Sequence, residues 1–132
     1  MRALYVSAAV GDAGRSLATL AEILGQSDRN NRRDHVSGVL ARHEGLFLQA
    51  IEGARIDLDR LLERLRRDPR HDDVRLLAYG PASERAFAAW GLALADVSSD
   101  PGLAKGRRLD ELTPDDALAI LKRAATRIPV AA

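Results

Sequence analysis

Two apolar runs, Val36 to Ala41 (VSGVLA) and Leu46 to Ile51 (LFLQAI), are separated by little more than His43-Glu44-Gly45. Runs of this length, rich in β-branched and large apolar residues and joined by a glycine turn, form an antiparallel hairpin. An isolated hairpin is not stable in water, so the rest of the chain must supply further strands and a covering layer. The second run also contains an amide, Gln49. A buried amide without partners costs about 2 kcal/mol or more in lost hydration. Gln49 therefore needs a polar neighbour, a water or a ligand.

The rest of the chain supplies the layers. Ala3 to Ala8 (ALYVSA) reads as strand one, followed by a loop with Gly11 and Gly14 and by Ser16 as an N-cap. Leu17, Leu20, Ala21 and Leu24 recur at helical spacing, and the polar segment Ser27 to Asp34 ends that helix. The hairpin gives strands two and three. Leu58, Leu61, Leu62 and Leu65 mark a second amphipathic helix that stops near Asp68-Pro69. Val74 to Ala78 reads as strand four, and Phe87 to Ala95 (FAAWGLALA) as strand five with Trp90 in the core. Thr113-Pro114-Asp115-Asp116 has the signature of a helix start: an N-cap, a proline at the first position and acids in the first turn. Leu118, Ile120 and Leu121 give that last helix an apolar side. The order βαββαββ with a helical tail predicts an α+β, ferredoxin-like sandwich. Its five-stranded mixed sheet has two helices on one face and the C-terminal helices on the other.

Composition narrows the function classes. The chain has 132 residues, enough for one domain, and 20 basic against 19 acidic residues give a net charge of +1. Lys105 and Lys122 are the only lysines, and the arginines are scattered, so no nucleic-acid patch is legible. The absence of Cys excludes disulfides and thiolate chemistry. No apolar run approaches the roughly 20 residues that cross a bilayer, and Met1-Arg2 leads into a strand rather than a signal peptide. A cytoplasmic protein without membrane contact is the expectation. His35, His43 and His71 lack ligand spacing, so no metal site is expected.

With strands one and three adjacent and central, alternation puts Ala3, Tyr5 and Ser7 on one face and Phe47, Gln49 and Ile51 on one face. If both sets face the helices, Tyr5 and Gln49 meet between sheet and helices. A phenol beside a primary amide makes a hydrogen-bonding site.

Together with Tyr5-Val6-Ser7, several dispersed motifs follow in a fixed order: Arg29-Asn30-Asn31, Ser37-Gly38, Phe47-Leu48-Gln49, Glu52-Gly53, Asp68 with Arg70-His71, and Glu84-Arg85 to Phe87 and Trp90. In order and spacing they resemble the BLUF domains, blue-light sensors using FAD, over about residues 1 to 95. The resemblance implies a photosensor domain at 1–95 and a C-terminal helical extension at 96–132. It implies a non-covalent flavin between the two helices: FAD, with FMN or riboflavin as alternatives. The cofactor contacts it implies are Tyr5, Ser7, Asn30, Asn31, Gln49, Arg64, Asp68 and His71. Tyr5 bonds Gln49, Gln49 bonds the ring near N5 and the C4 carbonyl, and Asn31 bonds the C4 and N3 edge. Arg64 and Asp68 reach the pyrimidine end. Tyr5 and Gln49 form the photoactive relay, since an amide carries both a donor and an acceptor end and can rewrite its hydrogen bonds without backbone movement.

Trp90 and Leu92 occupy modulating positions; many family members carry methionine where this chain has Leu92. That departure bears on signal transmission or dark recovery more than on flavin binding. No catalytic residue is identified, so the output is expected through a downstream protein partner or a change in assembly. The apolar last helix suggests a homodimer or higher oligomer. A competing reading is a flavin-binding or scaffold module without photochemistry. Another is an acylphosphatase-like hydrolase, with the loop Gly11 to Ser16, Arg15 and Asn31 around a phosphate.

Overall fold

The central hairpin organises the molecule. In the computed structural model, β2 (Ser37–His43) pairs antiparallel with β3 (Leu46–Glu52), with His43 opposite Leu46. The two turn residues Glu44 and Gly45 take φ of 53° and 75°, the left-handed conformation that a two-residue hairpin turn requires. The structure describes residues 1–9, 17–67 and 71–129, and side chains within these except at 9, 17–21, 23, 71–73 and 104–105. The loop Gly11 to Ser16 and the helix stop at Asp68-Pro69 lie outside the described residues.

β1 (Arg2–Ala9) pairs antiparallel with β3, and β4 (His71–Gly80) pairs antiparallel with β1 on its far side. A short β5 (Ala93–Leu94) runs parallel to β2. The sheet order is β4-β1-β3-β2-β5, mixed and five-stranded, with β1 and β3 adjacent at the centre. This is the ferredoxin-like arrangement the element order predicts.

Three helices cover the sheet: α1 (Leu17–Arg33), α2 (Arg55–Arg67) and α3 (Pro114–Ala125). α2 buries Leu58, Leu62 and Leu65, an i, i+4, i+7 stripe. These pack with Ala3, Tyr5, Val36 and Ile51 on one sheet face. Leu24 of α1 packs against a separate group on that face, Leu40, Phe47 and Leu92. The opposite face carries one continuous core, in which Leu4, Val6, Val39 and Leu48 meet Ala117, Ile120, Leu121 and Ala124 of α3. α3 begins as its sequence dictates: Thr113 Oγ1 accepts from Asp116 N at 3.1 Å, with Pro114 at the first position. Its apolar side is consumed within the chain. Before it, two short 3-10 helices, Pro101–Gly106 and Leu109–Glu111, carry the chain across the sheet.

α1 ends at Arg33, inside the polar segment Ser27 to Asp34 that was expected to stop it. Its stop comes from His35, at φ 57°, a conformation that His adopts more readily than most residues. Val36 N donates to Asn31 O at 2.8 Å and His35 N to Arg32 O at 3.3 Å, the paired bonds of a Schellman end. Asn30 and Asn31 are thus helical residues. Strand five does need correction: it shrinks from Phe87–Ala95 to Ala93–Leu94. The physical reason is diversion of backbone groups: Ala86 N and Phe87 N donate to Glu52, Gly91 O accepts from Asn31, and Leu92 N donates to Asp28. A backbone gripped by side chains has fewer groups left for a ladder. β4, by contrast, is longer than Val74 to Ala78.

Candidate functional site

Tyr5 and Gln49 stand directly opposite each other in the β1–β3 register. Cross-strand neighbours bring their Cβ atoms to about 5 Å, close enough for side chains to bond. The Tyr5 hydroxyl donates to Gln49 Oε1, with Tyr5 1% and Gln49 5% exposed. The buried amide therefore finds its neighbour in the phenol. The β1–β4 ladder slips between Leu4 and Tyr5 and again between Val6 and Ala8, irregularities that re-aim side chains beside functional sites. Ser7, two residues on, is buried and opposite Phe47.

Asn31 enters from the last turn of α1. It is 1% exposed, and its Nδ2 donates to Gly91 O at 2.8 Å. That carbonyl fixes the amide's orientation, because only the NH2 end can serve it. Oδ1 is left as a buried side-chain acceptor with no partner among the described residues. Orphans of this kind are rare in cores and point to a missing donor.

Among the described side chains, the sheet face around these three residues carries two separate apolar groups. One apolar group holds Ala3, Tyr5 and Ile51; the other holds Leu40, Phe47 and Leu92. Gln49 sits opposite both Tyr5 and Leu40 in register, between the two. Leu92 is buried on this face, whereas Trp90 is half-buried and packs against the core of the other face. Asn30 is half-buried. Arg64 is not brought to the group: it lies exposed on α2, with Nη2 3.7 Å from Asp34 Oδ2. Asp68 and the side chain of His71 lie outside the described residues, as does Arg15.

Some residues of the site carry no role in the sequence reading. Glu52, 1% exposed, accepts from Ser37 Oγ at 3.1 Å, Phe87 N at 2.9 Å, Ala86 N at 2.8 Å and Arg2 Nε at 3.0 Å. Arg85 adds bonds to Ser37 Oγ at 3.2 Å and His35 O at 2.7 Å. A buried carboxylate is retained when it is paired and hydrogen-bonded in this way. Glu52 and Arg85 stand in the motifs quoted above, but only the structure reveals that they tie the segment before Trp90 to the sheet. Asp28 and Gly91 were missed altogether. The available signals were a glycine inside an apolar run, which marks close backbone approach, and an acid three residues before Asn31 on one helix face.

Asp28 Oδ1 accepts from Leu92 N at 3.0 Å. Burial would raise the Asp28 carboxyl, but the Leu92 N–H and Arg32 outweigh it and hold it below the usual carboxylate range. Elsewhere on this side, Tyr79 donates to Asp59 Oδ1 at 2.6 Å, and desolvation together with that carboxylate pushes the phenol up to about 12. Among the described residues no three His, Asp or Glu side chains form a metal cluster, and no helix is long and apolar enough to cross a membrane.

The donor set suits a flavin. The ring's pyrimidine edge carries an N–H donor between two carbonyl acceptors, and Asn31 offers an unengaged buried acceptor for the former. With Oε1 taken by Tyr5, what Gln49 has to offer is its N–H end, a donor suited to a carbonyl or ring nitrogen.

Comparison with known proteins gives the same answer. The family model described as sensors of blue-light using FAD, BLUF, matches residues 1–93. The beta subunit of the photoactivated adenylate cyclase of Euglena longa is 33% identical over 98 residues, covering 74% of this chain and 11% of that protein. The chain thus spans about a tenth of the length of the curated relatives it matches. Among solved structures, BlrB, a BLUF protein in its dark state, superimposes with a TM-score of 0.80 at 25% identity, covering 96% of each chain. BlsA in its photo-activated state gives 0.86 at 20% identity over 99% of this chain and 97% of that one, a likeness of fold.

Proposed function

This chain belongs to the blue-light sensors using FAD, and from that premise we propose that its own Tyr5, Gln49 and Asn31 hold a flavin non-covalently and switch their hydrogen bonds when it is lit. One observation carries the proposal: the Tyr5 hydroxyl donates to Gln49 Oε1 on the same face where Asn31 Oδ1 is buried without a donor among the described residues. The flavin supplies a blue-absorbing ring that becomes a strong oxidant when excited. Tyr5 is the group placed to yield an electron to the excited ring and to take it back, and Gln49 Oε1 is placed to receive the hydroxyl proton while a proton returns to Tyr5, so that neither side chain is left oxidised. Rotation or tautomerisation of the Gln49 amide then exchanges its donor and acceptor ends, with no backbone movement. Ser7, Asn30 and Leu92 line the ring; Arg64 joins the pyrimidine edge only by leaving Asp34. FAD is the proposed flavin, with FMN and riboflavin accepted through the same ring.

Residues 1–95 form the sensor in this reading, and 96–132 carry the signal to a separate protein or a second copy. In the tail, Arg123 forks onto Asp100 at 2.9 and 3.0 Å and Arg127 donates to Asp96 O at 2.7 Å, so the tail is tied to the segment that follows Leu92. The test is spectroscopic. The purified protein is expected to be yellow, to release its flavin on denaturation, and to show a small, reversible red shift under blue light without bleaching. A colourless protein that takes up neither FAD nor FMN ends the reading. A yellow protein with no light-induced shift leaves a flavin-binding module without photochemistry.

A further inference from the structure

Gly91 C=O and Leu92 N–H are the two ends of one peptide group, and α1 grips both. Asn31 Nδ2 donates to the oxygen at 2.8 Å, and Asp28 Oδ1 accepts from the nitrogen at 3.0 Å. The two side chains sit three residues apart on α1, where i, i+3 positions share a face. The approach is so close that a Cβ on Gly91 would lie 2.5 Å from Asp28 O and 2.7 Å from its Oδ1. Only a residue without a Cβ fits between strand segment and helix. The same Asn31 amide has its other end, Oδ1, buried and unpartnered among the described residues. Leu92 closes the apolar group with Leu40, Phe47 and Leu24 beside Gln49.

We propose that Asp28 is a positioning residue: with Asn31 it clamps the Gly91–Leu92 peptide, and the clamp locks the Asn31 acceptor toward the flavin while seating Leu92 on the site. The inference deepens the function proposed above and rests on it. An amide free to turn would present its acceptor to the ring only part of the time, and a ligand's affinity falls by the fraction of the competent state. Holding the peptide from both ends removes that freedom. It also makes any rearrangement of Asn31 felt at Leu92, the residue that leads into β5 and the tail. Arg32, which ion-pairs with Asp28 at 3.0 Å from the exposed side, is outside the clamp.

Three variants separate the roles. Asp28→Ala removes the acceptor of the Leu92 N–H. Asp28→Asn keeps an oxygen there but loses the charge, and Arg32→Gln removes only the outer ion pair. In the flavin-free protein, exchange of the Leu92 amide proton is expected to speed up at least tenfold in Asp28→Ala and to stay within about threefold of the parent in the other two. Titration with FAD is expected to give about tenfold weaker binding for Asp28→Ala, with a displaced dark-state absorption maximum and a changed dark-recovery rate. Asp28→Asn should restore all three, a rescue that lost stability alone would not produce. Unchanged Leu92 exchange in Asp28→Ala overturns the clamp, whether or not flavin binds. Faster exchange with unchanged affinity, spectrum and recovery overturns its positioning role. If the parent takes up no flavin, the positioning role falls with the photosensor reading, while the Leu92 exchange still judges the grip on the peptide.

Discussion

The two faces of one sheet are built on opposite plans. The face under α3 is a single closed core running from Leu4 and Val6 through Phe87 to Ile120 and Leu121. Among the described residues, the face under α1 and α2 carries two smaller apolar groups, with a phenol, an amide and an unpartnered acceptor near the break between them. A close-packed apolar face maximises dispersion and burial, and it has nothing to exchange. A divided face carrying polar groups gives up some of that burial and keeps hydrogen bonds that can be rewritten. Stability and switching are thus separated by a single β-sheet, because successive side chains of a strand point to opposite faces. Alternate residues of the same strands serve both: Leu4 and Val6 close one side, Tyr5 and Ser7 line the other.

The comparison breaks most visibly at Ile120, fully buried on the closed face. Ile120→Ala should cost about 2–5 kcal/mol, read as a lower midpoint in urea with an unchanged slope. The fraction that remains folded should bind flavin and photocycle as before. Next comes Gly91→Ala, which drives a methyl group onto the Asp28 carbonyl. Overpacking against backbone costs about 1–3 kcal/mol, and here the displaced peptide should also weaken flavin uptake. Equal affinity in that variant would show that the break in the divided face tolerates more space than its contacts imply.

A smaller effect lies in acid. Arg123 hydrogen bonds hold the Asp100 carboxyl below its usual range, with burial opposing, and Asp100 caps Gly102 N at 2.9 Å. A carboxyl with a depressed folded pKa contributes stability above its unfolded pKa of about 4 and loses it as pH falls through the folded value. The tail should therefore loosen below about pH 4. Asp100→Asn should cost about 1–2 kcal/mol at pH 7 and flatten that acid limb. A parallel acid profile in the variant would place the loss elsewhere.

The closed face and the strand order were legible because periodicity and turn chemistry are local: the Glu44-Gly45 turn and Thr113-Pro114 cap act on their own neighbours. Tyr5 opposite Gln49 was legible too, since register follows once β1 and β3 adjoin. What escaped was long-range. Gly91 lies 60 residues from Asn31, and nothing in FAAWGLALA says that side chains of α1 and β3 will take its backbone groups. Strand propensity alone therefore overestimated β5. The end of α1 was legible as a segment, Ser27 to Asp34, but its turning point was not: a Schellman end needs one left-handed residue, and here that residue is His35.

The smallest energetic effect should bring the largest functional one. Tyr5→Phe keeps the ring that packs with Ala3, Ile51 and Leu62 and removes only the hydroxyl. One hydrogen bond is lost and Gln49 Oε1 is left without that donor, a cost of about 1 kcal/mol. The fold should survive with its urea slope unchanged, and the protein should stay yellow, since Asn31 and the apolar groups proposed to hold the ring are untouched. The red shift should nevertheless disappear. Without the hydroxyl there is no proton to pass to Oε1, and phenylalanine is a far poorer electron donor than a phenol. Gln49→Glu tests the other half, because a carboxylate lacks the N–H end whose exchange constitutes the switch. Denaturation and illumination of the same sample then read the two faces independently: Ile120→Ala moves the first and spares the second, and Tyr5→Phe does the reverse. A normal red shift in Tyr5→Phe would remove Tyr5 from the relay while leaving the architecture of both faces intact.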